Sequence, residues 1–330
     1  MTTLAELTLD PGILRWIARL QELSPAIPDL SSPDPAVQRV AARELSDLLA
    51  VEFTLPIPDG VDIDDHEIVG PGGPLRMRRY RPVDAADPAP SQLWLHGGGF
   101  YAGTIDEVLN DRLCARRAQE SGVQIFSLEY RLAPEHPYPA PVLDAVAALQ
   151  ALREDPERFG VDLNRLGIGG NSAGAAIAAS TALRMRGAQA PALAHVDLEV
   201  PPLAMRRVGA SAVDYASGFG LDELEHIVAM YAGPTGPSDD LISPLDVSDL
   251  SGLPPIFIMV AEHDPLRDSG TAFAERLRRA GVPVEVVVGA GHLHGTPGIT
   301  AGFPGAREWQ ERHARRLALA YRTQPVPLAR

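Results

Sequence analysis

The sequence predicts an α/β fold, with a mostly parallel sheet flanked by helices. Two observations carry this. Short apolar runs alternate with segments of helical spacing through most of the chain. One of these runs, PPIFIMVA, has the unbroken apolar character of a strand buried on both faces. With 330 residues, 45% of them hydrophobic, the chain has apolar material for a substantial core.

The elements follow in order. Residues 1–55 read as helical segments broken by Pro25, Pro28, Pro33 and Pro35, and the stretch PAVQRVAARELSDLLAVEF has apolar residues at helical spacing. Ile13, Trp16, Ile17 and Leu20 recur at the same spacing and mark an amphipathic N-terminal helix. From about residue 62 the pattern changes to HEIVG, LRMRRYRP and SQLWLHG, short strands separated by Gly and Pro turns. VQIFSLEY reads as a strand and PVLDAVAALQALRED as a helix. LGIGG is a short strand that runs into the small-residue helix SAGAAIAASTALRMRG. HVDLEV and PPIFIMVA are strands, a helix lies around TAFAERLRRAG, PVEVVVG is the last strand, and AREWQERHARRLALAYR closes the chain as a helix. His313 is expected on the solvated face of that closing helix.

Residues 203–240 break the alternation, running about twice the length of an ordinary crossover, and long insertions of this kind tend to be lids or binding loops. VDYASGFGLDELEHIVAMY within it suggests a further helix, and Met205, Phe219 and Met230 are candidates to line a pocket.

Charge narrows the partners. A formal net charge of -14 argues against nucleic acid or anionic lipid, both of which would be repelled. The single cysteine, Cys114, excludes an intrachain disulfide and reads as a buried structural thiol. The N-terminal stretch carries Glu6 and Asp10 early and lacks a basic start followed by an apolar run, so it does not read as a signal peptide. No stretch reaches about 18 uninterrupted apolar residues, so no membrane-spanning helix is expected, and a cytoplasmic location is the expectation.

Two motifs carry chemistry. Gly170-Asn171-Ser172-Ala173-Gly174 is a G-x-S-x-G placed between a short strand and a helix. Such a turn holds a serine in a strained conformation, and the helix behind it offers N–H groups and positive partial charge to a developing oxyanion. With 30 glycines in the chain the pattern alone arises by chance in about one chain in eight, so its placement matters more than its letters. His96-Gly97-Gly98-Gly99-Phe100 follows the strand SQLWL and is far rarer by chance, at about 0.007 per chain. Successive glycines let backbone amides turn toward a ligand without a Cβ clash, and loops of this type supply oxyanion donors. His96 is expected to be a structural, hydrogen-bonding member of that loop.

HGGGF, YRLAPEHPYPA (residues 130–140), GNSAG and LPPIFIMVAEHDPLRD (residues 253–268) together resemble the hormone-sensitive-lipase-like family of bacterial esterases. The similarity runs from about residue 75 to about residue 295, with the motifs in the family's order. The resemblance implies an α/β-hydrolase fold with an eight-stranded sheet. It implies a catalytic domain over 56–202 and 241–330, under a helical cap built from 1–55 and the insertion 203–240. The family's elbow reads GDSAGG, whereas Asn171 and Ala175 stand here in place of the aspartate and the last glycine.

In this fold the acid follows the serine along the chain and the base follows the acid. His292 and His294 share the loop after PVEVVVG, where the base belongs, and both remain open on position alone. The family's closing motif is Gly, two variable residues, His and Gly, which Gly291 to Gly295 fit with His294 as the base. Thr296 stands where the family has an aromatic residue, which is expected to open the site locally. The family acid matches Asp264, with Glu262 and Asp268 as alternatives. Asp268 is better read as a helix-start residue favoured by the dipole.

The resemblance therefore implies Ser172, Asp264 and His294 as catalytic residues. The backbone N–H groups of Gly97, Gly98 and Ala173 are the oxyanion donors, with His96, Gly99, Gly170 and Gly174 supporting them. It implies a small-molecule ester substrate with a short- to medium-chain acyl group, and an enzyme acting as a monomer or homodimer. A metal reading of His263, Asp264, His292 and His294 lacks a third ligand segment and leaves Ser172 and HGGG unexplained, so neither metal nor other cofactor is expected. The same residues would also serve an amidase, a carbamate hydrolase or a deacetylase of a specific metabolite. A non-catalytic receptor on this scaffold typically loses the base, which this chain keeps.

Overall fold

The computed structural model describes residues 2–187, 192–216, 224–237 and 239–322. It opens with helices α1 (Pro11–Leu23) and α2 (Pro35–Phe53) and the strands β1 (Val61–Gly70), β2 (Gly73–Pro82) and β3 (Ala89–Leu95). Then come α3 (Val108–Ser121), β4 (Gln124–Leu128), α4 (Ala140–Glu154), α5 (Pro156–Phe159), β5 (Val161–Asn171), α6 (Ala173–Met185) and β6 (Val196–Glu199). The chain continues through α7 (Ser211–Asp214), α8 (Leu224–Ala232), β7 (Ile256–His263), α9 (Arg267–Arg279), β8 (Val284–Leu293) and α10 (Pro304–Arg322).

All eight strands form one sheet in the order β1-β2-β4-β3-β5-β6-β7-β8. β2 pairs antiparallel with both β1 and β4, and every other pairing is parallel. The central strands β3 and β4 are buried along their whole length, as strands covered on both faces must be.

The two covering layers account for that burial. On one face Val142, Ala145 and Leu149 of α4, Ile177 of α6, and Phe273 and Leu277 of α9 pack in the main core with Leu95, Ile168 and Ile258 of the sheet. α6 is built almost wholly of small residues and lies so close to the sheet that every residue from Ala173 to Leu183 is buried. On the other face Cys114, Ala115 and Ala118 of α3 and Leu317 and Tyr321 of α10 meet Tyr80, Trp94 and Ile125. Cys114 is the buried thiol the sequence suggests, and burial pushes its pKa up to about 12.

α10 overturns one expectation. His313 is fully buried rather than solvated, with Nε2 hydrogen-bonded to Asp197 Oδ2 and the ring 5.5 Å from that of Trp94. Ala306, Trp309, Gln310, His313, Ala314, Leu317 and Tyr321 make the buried stripe of that helix at ordinary helical spacing, so the pattern was legible had the polar letters been counted in it.

α1 and α2 form a third packing unit at the carboxyl edge of the sheet. Pro35 starts α2 rather than breaking a helix: it occupies the first turn, where its missing N–H is harmless, and Asp34 Oδ1 accepts from Ala36 N–H at 2.9 Å. Ile13, Leu49 and Phe53 cluster with Leu293, Ile299 and Phe303, so the N-terminal helices rest on the segment that flanks His294. Trp16 lies against Gly295, where an added Cβ would come within 3.1 Å of its ring. Among the described residues no helix is long and apolar enough to cross a membrane.

Candidate active site

Parallel strands deliver the chemistry-bearing residues to one edge, the place where open α/β sheets hold their ligands. Gly97 to Gly99 follow β3, Ser172 joins β5 to α6, Asp264 follows β7, and His294 follows β8.

Ser172 has φ 50° and ψ -122°, a backbone region that costs on the order of 1–3 kcal/mol for a residue with a side chain. Its surroundings hold it there. The Ser172 N–H donates to Glu199 O at 2.8 Å, and the Ser172 carbonyl accepts from Ala175 and Ala176 N–H at 2.9 and 3.2 Å as α6 begins. Gly174 is required by closeness: a Cβ there would lie 2.1 Å from the Leu95 carbonyl oxygen.

Ser172 Oγ lies 2.9 Å from His294 Nε2, and His294 Nδ1 lies 2.8 Å from Asp264 Oδ2. The Asp264 side chain is 1% exposed and that of His294 18%. Asp264 Oδ1 is held in turn by Leu266 N–H at 2.8 Å. Burial pulls the His294 pKa down, but the charge and hydrogen bond of Asp264, helped by the charge of Glu199, outweigh it, so the imidazole titrates above its ordinary value.

The other candidates fall elsewhere. His292 is buried between Phe303 and Trp309, with ring centroids 4.9 and 4.8 Å away, and its Nδ1 lies 2.9 Å from Thr296 Oγ1. Burial holds its pKa down to about 4. His263 meets the Tyr215 hydroxyl at 3.1 Å, so the histidines around Asp264 turn to separate partners. Glu262 accepts from Gly291 N–H at 2.7 Å and steadies the His294 loop. Asp268 sits in the first turn of α9 and accepts from Ser211 N–H at 2.9 Å.

Thr296 does not open the site. It is fully buried, and its hydroxyl bonds to Leu293 O, Leu293 N–H and His292, closing the turn that carries His294.

The glycine loop has the geometry its letters suggest. Gly98 has φ 119°, and a Cβ there would meet Ala102 O at 2.0 Å, so no other residue fits. Among the described residues nothing accepts from the N–H of Gly97 or Gly98. Ala173 is the first residue of α6, where an N–H has no intrahelical acceptor. Three donors are thus free around the serine. His96 stacks on Tyr130 at 4.3 Å, and its carbonyl accepts from the Tyr130 hydroxyl at 2.7 Å. Burial lowers its pKa and keeps it neutral, in keeping with a structural part in the loop.

Ser172 and His294 open into a cavity of about 400 Å³ whose wall includes the glycine loop, Leu109, Leu113, Ile227 and Glu199. Ile227 is the contribution of α8. Met205 instead packs against the main core, Met230 is absent from the cavity wall, and Phe219 lies outside the described residues. Glu199 and Gln310, which also reach the cavity, were not singled out from sequence. A charged residue ending the apolar strand HVDLEV was the available signal for Glu199.

A strained serine at the strand-to-helix turn, joined through histidine to a buried carboxylate, is the arrangement of a serine hydrolase. The comparisons agree. A family model described as alpha/beta hydrolase fold matches residues 92–297. Esterase LipI of Mycobacterium tuberculosis is 34% identical over 314 residues, which is 86% of this chain and 95% of that one. An ethyl acetate hydrolase of Pseudomonas putida is 37% identical over 242 residues, 70% of this chain and 72% of the relative. Among solved structures, an ester hydrolase from the metagenome of Lake Arreo matches with a TM-score of 0.85 at 32% identity, covering 96% of this chain and all of the other. The chain belongs to the hormone-sensitive-lipase-like carboxylesterases of the α/β-hydrolase fold.

Proposed function

We propose that the chain hydrolyses short- to medium-chain acyl esters through an acyl-enzyme formed on Ser172. The observation that carries this is the continuous hydrogen-bonded path from Ser172 Oγ through His294 to Asp264. His294 Nε2 accepts the serine proton as Oγ attacks the ester carbonyl, and Asp264 orients the ring and stabilises the imidazolium. The N–H groups of Gly97, Gly98 and Ala173 hold the tetrahedral oxyanion, and in other enzymes one such donor lowers the barrier by about 2.7–4 kcal/mol. His294 then protonates the departing alkoxide. Water activated by the same base releases the acid and restores Ser172. Each proton is moved by the protein's own groups, so the cycle needs no cofactor.

The substrate range rests on the enclosure of the cavity and on the relatives. α1 and α2 lie over the His294 segment, and Ile227 of α8 reaches the cavity, which supports a cap made from residues 1–55 and 203–240. Such a roof favours compact acyl groups over long chains in a lipid aggregate. One relative is named an ethyl acetate hydrolase, and ethyl acetate carries a two-carbon acyl group.

The test is a chain-length series of nitrophenyl esters beside the matching anilides. Esters of about two to eight acyl carbons should turn over fastest, with the anilides far slower. Comparable anilide turnover, or a rate that keeps rising toward long acyl chains, would contradict this reading in favour of an amidase or a lipase.

A further inference from the structure

Strand β6 ends in a carboxylate that the proposed cycle does not use. Val196 and Leu198 of that strand are fully buried, and Glu199 beside them is 3% exposed. Its main chain already supports the nucleophile: Glu199 pairs with Asn171 in the sheet, and its carbonyl accepts from Ser172 N–H at 2.8 Å. Its side chain belongs to the wall of the catalytic cavity, together with Ser172 and His294.

The partners of that side chain are all donors. Oε1 accepts from Trp309 Nε1 and, at 3.2 Å, from Gln310 Nε2, both on α10. Oε2 lies 3.5 Å from Arg117 Nη2 of α3. Gln310 is the connector. Its Nε2 also donates at 3.0 Å to the carbonyl of Pro297, in the turn that follows His294. One carboxamide thus ties the Glu199 carboxylate to the segment that carries the base. Gln310 Oε1 meanwhile accepts from Arg117 Nη2 at 2.9 Å, so the guanidinium sits closer to the amide than to the acid.

Stability alone is a poor reason for this arrangement, because a buried ion pair often does no better than packed apolar residues of similar volume. The charges around Glu199 point to another. From α3 come Arg117, the Cys114 thiol that burial keeps neutral, and Glu107, whose carboxyl burial pushes up to about 7. Asp197, on the same strand, is taken up by His313. From the end of β8 come His292, held near 4 by burial and so neutral, and His294. Asp264, after β7, bonds to His294 from the far end of the ring. His294 is the group that gains a proton during the reaction. Burial opposes a charge there, the charge and hydrogen bond of Asp264 favour it, and the charge of Glu199 acts in the same direction as Asp264.

We propose that Glu199 is a positioning residue for the base: through Gln310 it holds the turn behind His294, and with Asp264 it stabilises the imidazolium formed as Ser172 attacks. This rests on the reading of Ser172 and His294 as nucleophile and base.

The experiment follows kcat and kcat/KM for nitrophenyl butyrate across the acidic limb. Glu199→Gln keeps the size of the side chain and removes its charge. Its limb should lie at lower pH than that of wild type, by a smaller step than in Asp264→Asn, which alters the direct partner of the ring. A purely structural part would lower the rate and leave the limb in place. The double variant Glu199→Gln with Arg117→Met leaves no buried charge unpaired, should show the same displacement, and carries the test if the single variant does not fold. Gln310→Leu cuts the link and keeps the charge. It should leave the limb in place and lower kcat by up to about 10²-fold, the loss that a small misplacement of reacting groups produces, with KM changed far less. A limb at the wild-type position in both Glu199 variants would overturn the proposal, as would a wild-type kcat in Gln310→Leu. Absence of turnover by the wild-type protein is a separate failure: it overturns the nucleophile and base assignments, and the part of Glu199 with them.

Discussion

Nδ1 of His294 lies 2.8 Å from Oδ2 of Asp264, a carboxylate with 1% of its side chain exposed. Because that oxygen accepts a hydrogen bond from Nδ1–H, the neutral ring carries its lone pair on Nε2, which faces Ser172 Oγ at 2.9 Å. The same contact stabilises the imidazolium and raises the pKa of the ring against the opposing effect of burial. One hydrogen bond therefore sets the tautomer, the aim and the basicity of the base.

A pH profile follows from the sign of that shift. His294 works only when neutral, and lowering the pH protonates it. kcat/KM should thus fall on acidification with a midpoint above about 6.5, the ordinary histidine value. A profile that stays flat down to about pH 4 would rule out a histidine base.

Asp264→Asn keeps the size of the side chain and removes its charge. kcat should drop by about 10⁴, as expected when the ring is held in the wrong tautomer. The residual activity should also titrate at lower pH than wild type, because the charge that raises His294 is gone. Steady-state kinetics across pH read both effects, and an unchanged acidic limb would contradict the assignment of Asp264.

Gly98→Ala tests the loop by steric reasoning alone. The new methyl would sit 2.0 Å from Ala102 O in a residue with φ 119°, so the loop must shift and its N–H groups with it. The loss should appear in kcat, by about 10²- to 10³-fold, with KM changed far less. A change confined to KM would mean that the loop does not act on the transition state.

His313 provides the contrast. It is as buried as any histidine in the chain and bonded to Asp197, but it touches neither Ser172 nor the cavity. His313→Leu leaves the Asp197 carboxylate buried without its partner and should cost about 3–5 kcal/mol in denaturant unfolding. Ester turnover per folded molecule should survive. His294→Gln should do the reverse, abolishing turnover with little loss of stability.

The sheet and the site were legible in the sequence for different reasons. Strands such as PPIFIMVA and the small-residue helix after Ser172 show their burial directly in their composition. Gly98 and Gly174 are fixed by contacts that admit no Cβ, so their letters report geometry. His294 could not be separated from His292 by position alone, because both lie on one loop and only their packing partners differ. The family motif decided in favour of His294. Thr296 reads as an opening because it is smaller than the aromatic residue usual in the family, and His313 reads as solvated because an imidazole looks so in sequence. In the fold each meets its hydrogen-bond partner in the interior. Glu199 and Arg117 escaped notice similarly, as charges whose burial depends on β6 and α3, far apart in the chain, packing together.

The most direct measurement is the initial rate of nitrophenyl butyrate hydrolysis by wild type and by Ser172→Ala at equal folded concentration. In a related arrangement, loss of the serine lowers kcat by about 2 × 10⁶-fold, and a collapse of that order is expected here. Equal turnover by the two proteins would contradict Ser172 as the nucleophile.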